Sequence, residues 1–215
     1  MAPVVPAQTT GCDTQQPLHV VTTISHAFGD VCAVLGSAAH HNLTMKVFGW
    51  GSGPKQWGSS NKGTAKLMVL RKALDSLPPD DLMLGMDGSD IFFNKGKEGI
   101  LAAYCALNHS LVFSSEKFCW PCPPGEWPAS PSPYRHLNAG GFLGRVRDVR
   151  RFIRAIFEQP TSRLWMIGAD QGEAQRVFLE RHGEWDLGLD YNQTIWQSMF
   201  KAQGDFCGPG LTNCL

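Results

Sequence analysis

Short apolar runs alternate along this chain with longer stretches whose apolar residues recur every three or four positions. Residues 18–24 are rich in β-branched side chains and predict a first strand; residues 28–40 are alanine-rich, with Val31, Val34 and Leu35 on one helical face. Residues 44–50 predict a second strand. A Gly/Ser-rich loop over residues 51–63 then leads into a helix whose Leu67, Leu70, Leu74 and Leu77 form one stripe, stopped by Pro78-Pro79. Residues 82–86 read as a third strand, 98–107 as a helix, 111–114 as a strand and 141–144 as a short strand entered through glycines. Val149, Phe152, Ile153, Ile156 and Phe157 follow the i, i+3, i+4, i+7, i+8 template, and a last helix after Asp170 carries Ala174, Val177 and Phe178. Repeated βα units of this kind predict an α/β fold: a mostly parallel, Rossmann-like sheet with helices on both faces. Residues 121–133 are proline-rich and predict an extended loop.

Composition narrows the picture. A chain of 215 residues suits one large domain or two small ones and is long enough to bury a substantial core. Nineteen basic residues balance nineteen acidic ones, which gives no support to nucleic-acid or anionic-membrane binding. No apolar run approaches the ~20 residues of a membrane-spanning helix. Residues 1–16, rich in Pro, Thr and Gln, read as a flexible leader without the basic-then-apolar pattern of a signal peptide, leaving 17–215 as the folded domain. Three triplets, at Asn42, Asn108 and Asn192, fit the N-glycosylation pattern, and seven cysteines, with Cys207 and Cys214 placed to close a small C-terminal loop, favour a secretory-pathway lumen. Scattered buried cysteines of a cytosolic protein are the alternative.

The chemistry gathers where strands end. Leu82 to Met86 is an apolar run that stops in Asp87-Gly88-Ser89-Asp90. Asp, Gly and Ser also make polar turns, so the segment has two readings. At the carboxyl end of a central strand, where open α/β sheets place ligands, Asp87 and Asp90 offer two hard oxygen ligands for Mn²⁺ or another divalent cation that would hold a diphosphate. After the next strand, Glu116 and Trp120 bring an acid and a large aromatic to the same edge. Asn138, Gly140 and Gly141 then join an amide able to read hydroxyls to a backbone stripped of side chains. A tight turn entering a strand is the plainer reading of that glycine pair.

These segments, in this order, carry a resemblance. F-S-S-E-K-F-C-W-P at residues 113–121 and L-N-A-G-G-F-L-G at residues 137–144 are similar to the glycosyltransferase domain of the procollagen lysyl hydroxylases, over about residues 18–200. The resemblance implies a GT-A fold, a UDP-sugar donor, Mn²⁺ bound through Asp87 and Asp90, and transfer of a hexose to a hydroxylysine-like side chain of a collagen-like protein. By position it implies that Lys66 lies near the donor phosphates, Trp57 near the nucleotide, and Thr22 and Thr23 near the uridine. It places Trp120 and Asn138 beside the transferred sugar, with Asp170 at the end of an acidic run used in transfer. Glu116, Gly140 and Gly141 would line the donor site, with Glu116 or Asp170 against the oxocarbenium-like sugar. Asp170 is equally placed for an acceptor base or a helix N-cap. Asp190 falls at a family acid with a structural or acceptor-facing role.

The chain departs from this family in three places. Gly88 and Ser89 stand where the family has an aromatic between its two acids, and the acidic run is reduced to Asp170. No His-Gly-Asn segment, source of the family's third metal ligand, occurs before Leu215, which leaves a shortened chain or an ion held by fewer protein ligands. A non-catalytic nucleotide-sugar or glycan-binding domain is the rival reading. Cys119-Trp120-Pro121-Cys122 has thioredoxin-like spacing, but Pro123-Pro124 oppose the helix such a motif needs. Zinc held by this pair with Cys207 and Cys214 would need an unusually long and unequal ligand spacing.

Overall fold

A computed structural model describes residues 12–26, 30–51, 62–158 and 169–200. Trp57, Cys207 and Cys214 lie outside the described residues, as does the first part of the helix expected from residue 28. In chain order the described elements are β1 (Leu18–Thr23), α1 (Val31–His40), β2 (Met45–Phe48), α2 (Lys62–Asp75), β3 (Leu82–Met86) and α3 (Lys97–Leu107). They continue with β4 (Leu111–Glu116), β5 (His136–Arg145), α4 (Val146–Phe157), α5 (Ala169–Arg181) and β6 (Leu187–Leu189).

The six strands form one sheet in the order β2-β1-β3-β5-β4-β6. All pairings are parallel except those of β5, which runs antiparallel to both β3 and β4. This corrects two sequence expectations. The glycine-entered segment is a ten-residue strand and not a four-residue one, because its ladder with β4 and β3 begins at His136 and passes a register shift at Phe113/Ser114. The three-residue β6 was not foreseen; it is too short to show a period and is defined by pairing Leu111–Phe113 of β4.

Strand alternation divides the core between two faces. Val21, Met83, Leu111, Phe113, Leu137 and Phe142 face the leucine stripe of α2 and the apolar faces of α4 and α5. Val20, Leu82, Leu84, Met86, Val112 and Leu143 face Ala38 of α1 and Ile100, Leu101 and Tyr104 of α3. Helices therefore cover both faces, as the pattern predicts. Gly85 is required inside β3, because a Cβ there would lie 2.1 Å from Cζ of Phe142, its register partner on β5.

The end of the expected leader is fastened. Cys12 is disulfide-bonded to Cys105 of α3 across a sequence separation of 93, a closure that contributes about 4–5 kcal/mol in the chain-entropy account. No described helix is long and apolar enough to cross a membrane.

Candidate active site at the carboxyl edge of the sheet

The parallel strands β1, β3 and β4 deliver their C-terminal residues to one edge, and β5 enters the sheet there. Asp87 follows β3 directly, and its backbone N–H donates to the Gly140 carbonyl at 2.9 Å, locking the strand end onto the glycine pair of β5. Lys66 reaches the same point from the first half of α2. Its Nζ donates to Asp87 Oδ1 at 2.5 Å and to Asp170 Oδ2 at 3.2 Å. One ammonium thus joins β3, α2 and α5. Burial on its own would lower the Lys66 pKa, but the two carboxylates override it and hold the group well above its ordinary value. Lys66 stays charged.

Gly140 leaves space for the other Asp87 oxygen. A Cβ on Gly140 would lie 2.8 Å from Asn138 Oδ1 and 3.0 Å from Asp87 Oδ2. Gly141, one residue on and facing the opposite side of the sheet, is covered by Trp196, whose Nε1 would lie 2.6 Å from a Cβ placed there. Asn138 turns its Oδ1 back to accept from Gly140 N–H at 2.7 Å.

A second group forms around Glu116 at the end of β4. Its side chain is buried, and burial pushes its pKa up, opposed by hydrogen bonds from Asn138 and Gln171. Gln171 Nε2 donates to Glu116 Oε1 at 2.8 Å and to the Trp120 carbonyl at 2.5 Å, while its Oε1 accepts from Ala139 N–H at 3.2 Å. Trp120 itself is exposed, with its carbonyl held also by Gln175 at 3.2 Å.

The structure therefore brings together Lys66, Asp87, Asn138, Gly140 and Asp170, with Glu116 and Trp120 tied in through Gln171. Asp90 is exposed and takes no part in these bonds; Ser89 Oγ donates to its Oδ1 at 3.4 Å. Thr22 is buried and spends its hydroxyl on the Met86 carbonyl, whereas Thr23 is half-buried and lines a cleft with Thr22, Lys66, Met86 and Ala139. Gly88 has no space for a ring in its place, since a Cβ there would lie 2.5 Å from Ile24 Cγ1. Asp170 is the second residue of α5, and its carboxylate is turned to Lys66. Asp190, fully buried, accepts from Thr194 N–H and Oγ1, Ile195 N–H and Trp196 N–H at 2.7–3.0 Å, and so shapes the loop that brings Trp196 over Gly141.

Gln171 and Gln175 were not singled out from the sequence. Their signal was present: they fall on the same helical face as Ala174 and Phe178, so amides sit among core positions. Among the described residues no group of three His, Cys, Asp or Glu side chains is placed to hold a metal ion. Of the two acids expected to hold a cation, Asp87 has one oxygen engaged by Lys66 and Asp90 is exposed. Carboxylates of this kind are hard oxygen donors suited to a cation whose remaining positions phosphate oxygens and water would fill.

Residues 14–207 match the PLOD GT domain family. The chain belongs to that family. Similar to this PLOD GT domain are the mimivirus protein described as "Uncharacterized protein R699" from Acanthamoeba polyphaga mimivirus, 29% identical over 77% of this chain and 35% of that one, and two human proteins. Human procollagen-lysine,2-oxoglutarate 5-dioxygenase 2 is 26% identical over 67% of this chain and 21% of its own length. Human multifunctional procollagen lysine hydroxylase and glycosyltransferase LH3 is 25% identical over 86% of this chain and 25% of its own. The chain thus spans about a third or less of these relatives. Its six-stranded, mostly parallel sheet with an antiparallel β5 agrees with the GT-A-like fold expected of a PLOD GT domain.

Proposed function

We propose that this domain is a divalent-metal-dependent hexosyltransferase, moving sugar from a UDP-sugar to a hydroxylated, hydroxylysine-like side chain of a collagen-like protein. The observation that carries the reading is Lys66 Nζ bonded to Asp87 and Asp170 at 2.5 and 3.2 Å, with the bare backbone of Gly140 next to Asp87.

Breaking the bond between sugar and diphosphate develops negative charge on the leaving phosphate. Lys66, charged and held at the strand edge, is placed to neutralise it when the donor takes over from Asp87 as its partner. Asp87 and Asp90 would hold Mn²⁺, which when bound supplies a second positive charge at the diphosphate. Gly140 would let the donor approach the main chain beside Asp87, whereas Gly141, expected in the same role, makes room for the Trp196 indole. Asp170, pinned by Lys66, faces the region where the acceptor hydroxyl must lose its proton or where cationic character grows on the sugar. Asn138 and the Gln171-bound Glu116 offer amide and carboxylate contacts to sugar hydroxyls, and exposed Trp120 offers an apolar wall. Two disulfides among the described residues and the exposed asparagines Asn42, Asn108 and Asn192 support a secretory-pathway lumen as the place of action.

The test is UDP release across a panel of nucleotide sugars, with and without Mn²⁺. Release that needs both one donor class and the metal is the expected result. Donor binding with no release by any sugar, with or without hydroxylysine peptide, would make the domain a nucleotide-sugar-binding module.

A further inference from the structure

The Cys119-Trp120-Pro121-Cys122 segment has a bridge that the proposed transfer does not use. The segment forms no helix, so it lacks the helix N-terminus that activates thiols in disulfide oxidoreductases. A sequence separation of 3 also removes little entropy from the unfolded chain, in contrast to the separation of 93 closed by Cys12 and Cys105. Neither redox catalysis nor global stability accounts for it.

Its surroundings point elsewhere. Cys122 is exposed and holds a φ of 59°, a left-handed conformation that a non-glycine residue keeps only when its surroundings impose it. The small ring lies on the first turns of α5: the Trp120 carbonyl takes both glutamine amides, and a Cβ on Gly172 would lie 2.7 Å from Pro121 Cγ. Gln171, which holds Trp120, also holds Glu116 and directly follows Asp170. Bridge, indole and the Asp170-bearing turn form one contiguous unit.

We propose that Cys119–Cys122 is a thiol–disulfide exchange site through which a dithiol reductant switches the site, the bridged form being the competent one. The proposal rests on the reading of Trp120 and Asp170 as site residues. A thiolate of the reductant attacks the exposed Cys122 Sγ; the Cys119–Cys122 bond breaks, and Cys119 leaves as a thiolate that takes up a proton. The reductant's second thiol then displaces Cys122, so that two electrons pass to the protein and the reductant departs as a disulfide. The opened ring no longer holds Cys122 in the left-handed region or Trp120 in one place on α5. Reoxidation restores both.

The test compares the full chain, purified without reductant, before and after dithiothreitol, with thiols mapped by alkylation and mass spectrometry. Three readings are expected of the reduced protein: alkylation at Cys119 and Cys122, faster hydrogen exchange over residues 117–125 and 170–176, and at least tenfold slower UDP release, regained on reoxidation. A Cys119→Ser, Cys122→Ser double variant, which keeps Cys12–Cys105, should match the reduced rate, and neither dithiothreitol nor reoxidation should change that rate. Equal rates and equal exchange in the two states, or a double variant as fast as the bridged protein, would overturn the switch. Were no donor turned over in either state, the transferase reading would fail, and the exchange result would still decide the switch by itself.

Discussion

Lys66 and Asp170 lie 104 positions apart in the chain and meet at 3.2 Å, with Asp87 on the other side of the same ammonium. Replacing Lys66 by Met leaves two carboxylates facing one another without a cation. We expect a loss of on the order of 2 kcal/mol at pH 7 and a fall in kcat of about a hundredfold or more. The stability term has a definite sign. Because the folded pKa of Lys66 is raised, its contribution is complete below the ordinary lysine value near ~10.4 and is lost as pH rises above it. Urea unfolding of both proteins from pH 8 to 11 should show the wild-type advantage flat at first and then shrinking.

Much of this arrangement was legible in the sequence, for identifiable reasons. The leucine stripe of α2 and the i, i+3, i+4 pattern of α4 named the helices because each buries one face. Asp87, Asn138 and Gly140 stood out because polar and bare residues interrupt apolar runs at strand ends. The direction of β5 was not legible, since a residue pattern of period 2 is the same for parallel and antiparallel strands. Gln171 was missed because its importance comes from three partners, Glu116, Trp120 and Ala139, which the chain brings together only after folding.

Asp190 should matter for the fold before it matters for chemistry. Its carboxylate satisfies the backbone N–H groups of Thr194, Ile195 and Trp196. Asp190→Ala leaves these donors unpaired in a buried place and should cost about 3 kcal/mol, seen as a drop in Tm of roughly 6–12 °C for a domain of this size.

Two glycines make a matched contrast. Gly85→Ala drives a methyl into the Phe142 ring inside the core, and should destabilise by about 1–3 kcal/mol. Gly140→Ala first meets the side-chain ends of Asn138 and Asp87. It should weaken donor binding, read by calorimetry with UDP and Mn²⁺, by about tenfold (~1.4 kcal/mol) while Tm hardly moves.

Glu116 carries the same pH sign as Lys66, in a lower pH range. Burial raises its pKa, so the fold binds this proton more tightly than the unfolded chain does, and stability falls as pH climbs from the ordinary carboxylate range through the raised folded value. Glu116→Gln has no such proton to lose. Denaturant unfolding at pH 4 and pH 7 should therefore show the variant gaining on the wild type at the higher pH.

The central claim is that Asp87, with Lys66 beside it, anchors a nucleotide-sugar diphosphate for transfer. Its most direct test is UDP release by the wild type and by Asp87→Asn, with a hydroxylysine-containing peptide, a panel of UDP-sugars and Mn²⁺ present or withheld. We predict Mn²⁺-dependent release by the wild type and a loss of at least about a hundredfold in the variant. Release that is unchanged in Asp87→Asn, or absent from the wild type with every donor, would contradict it.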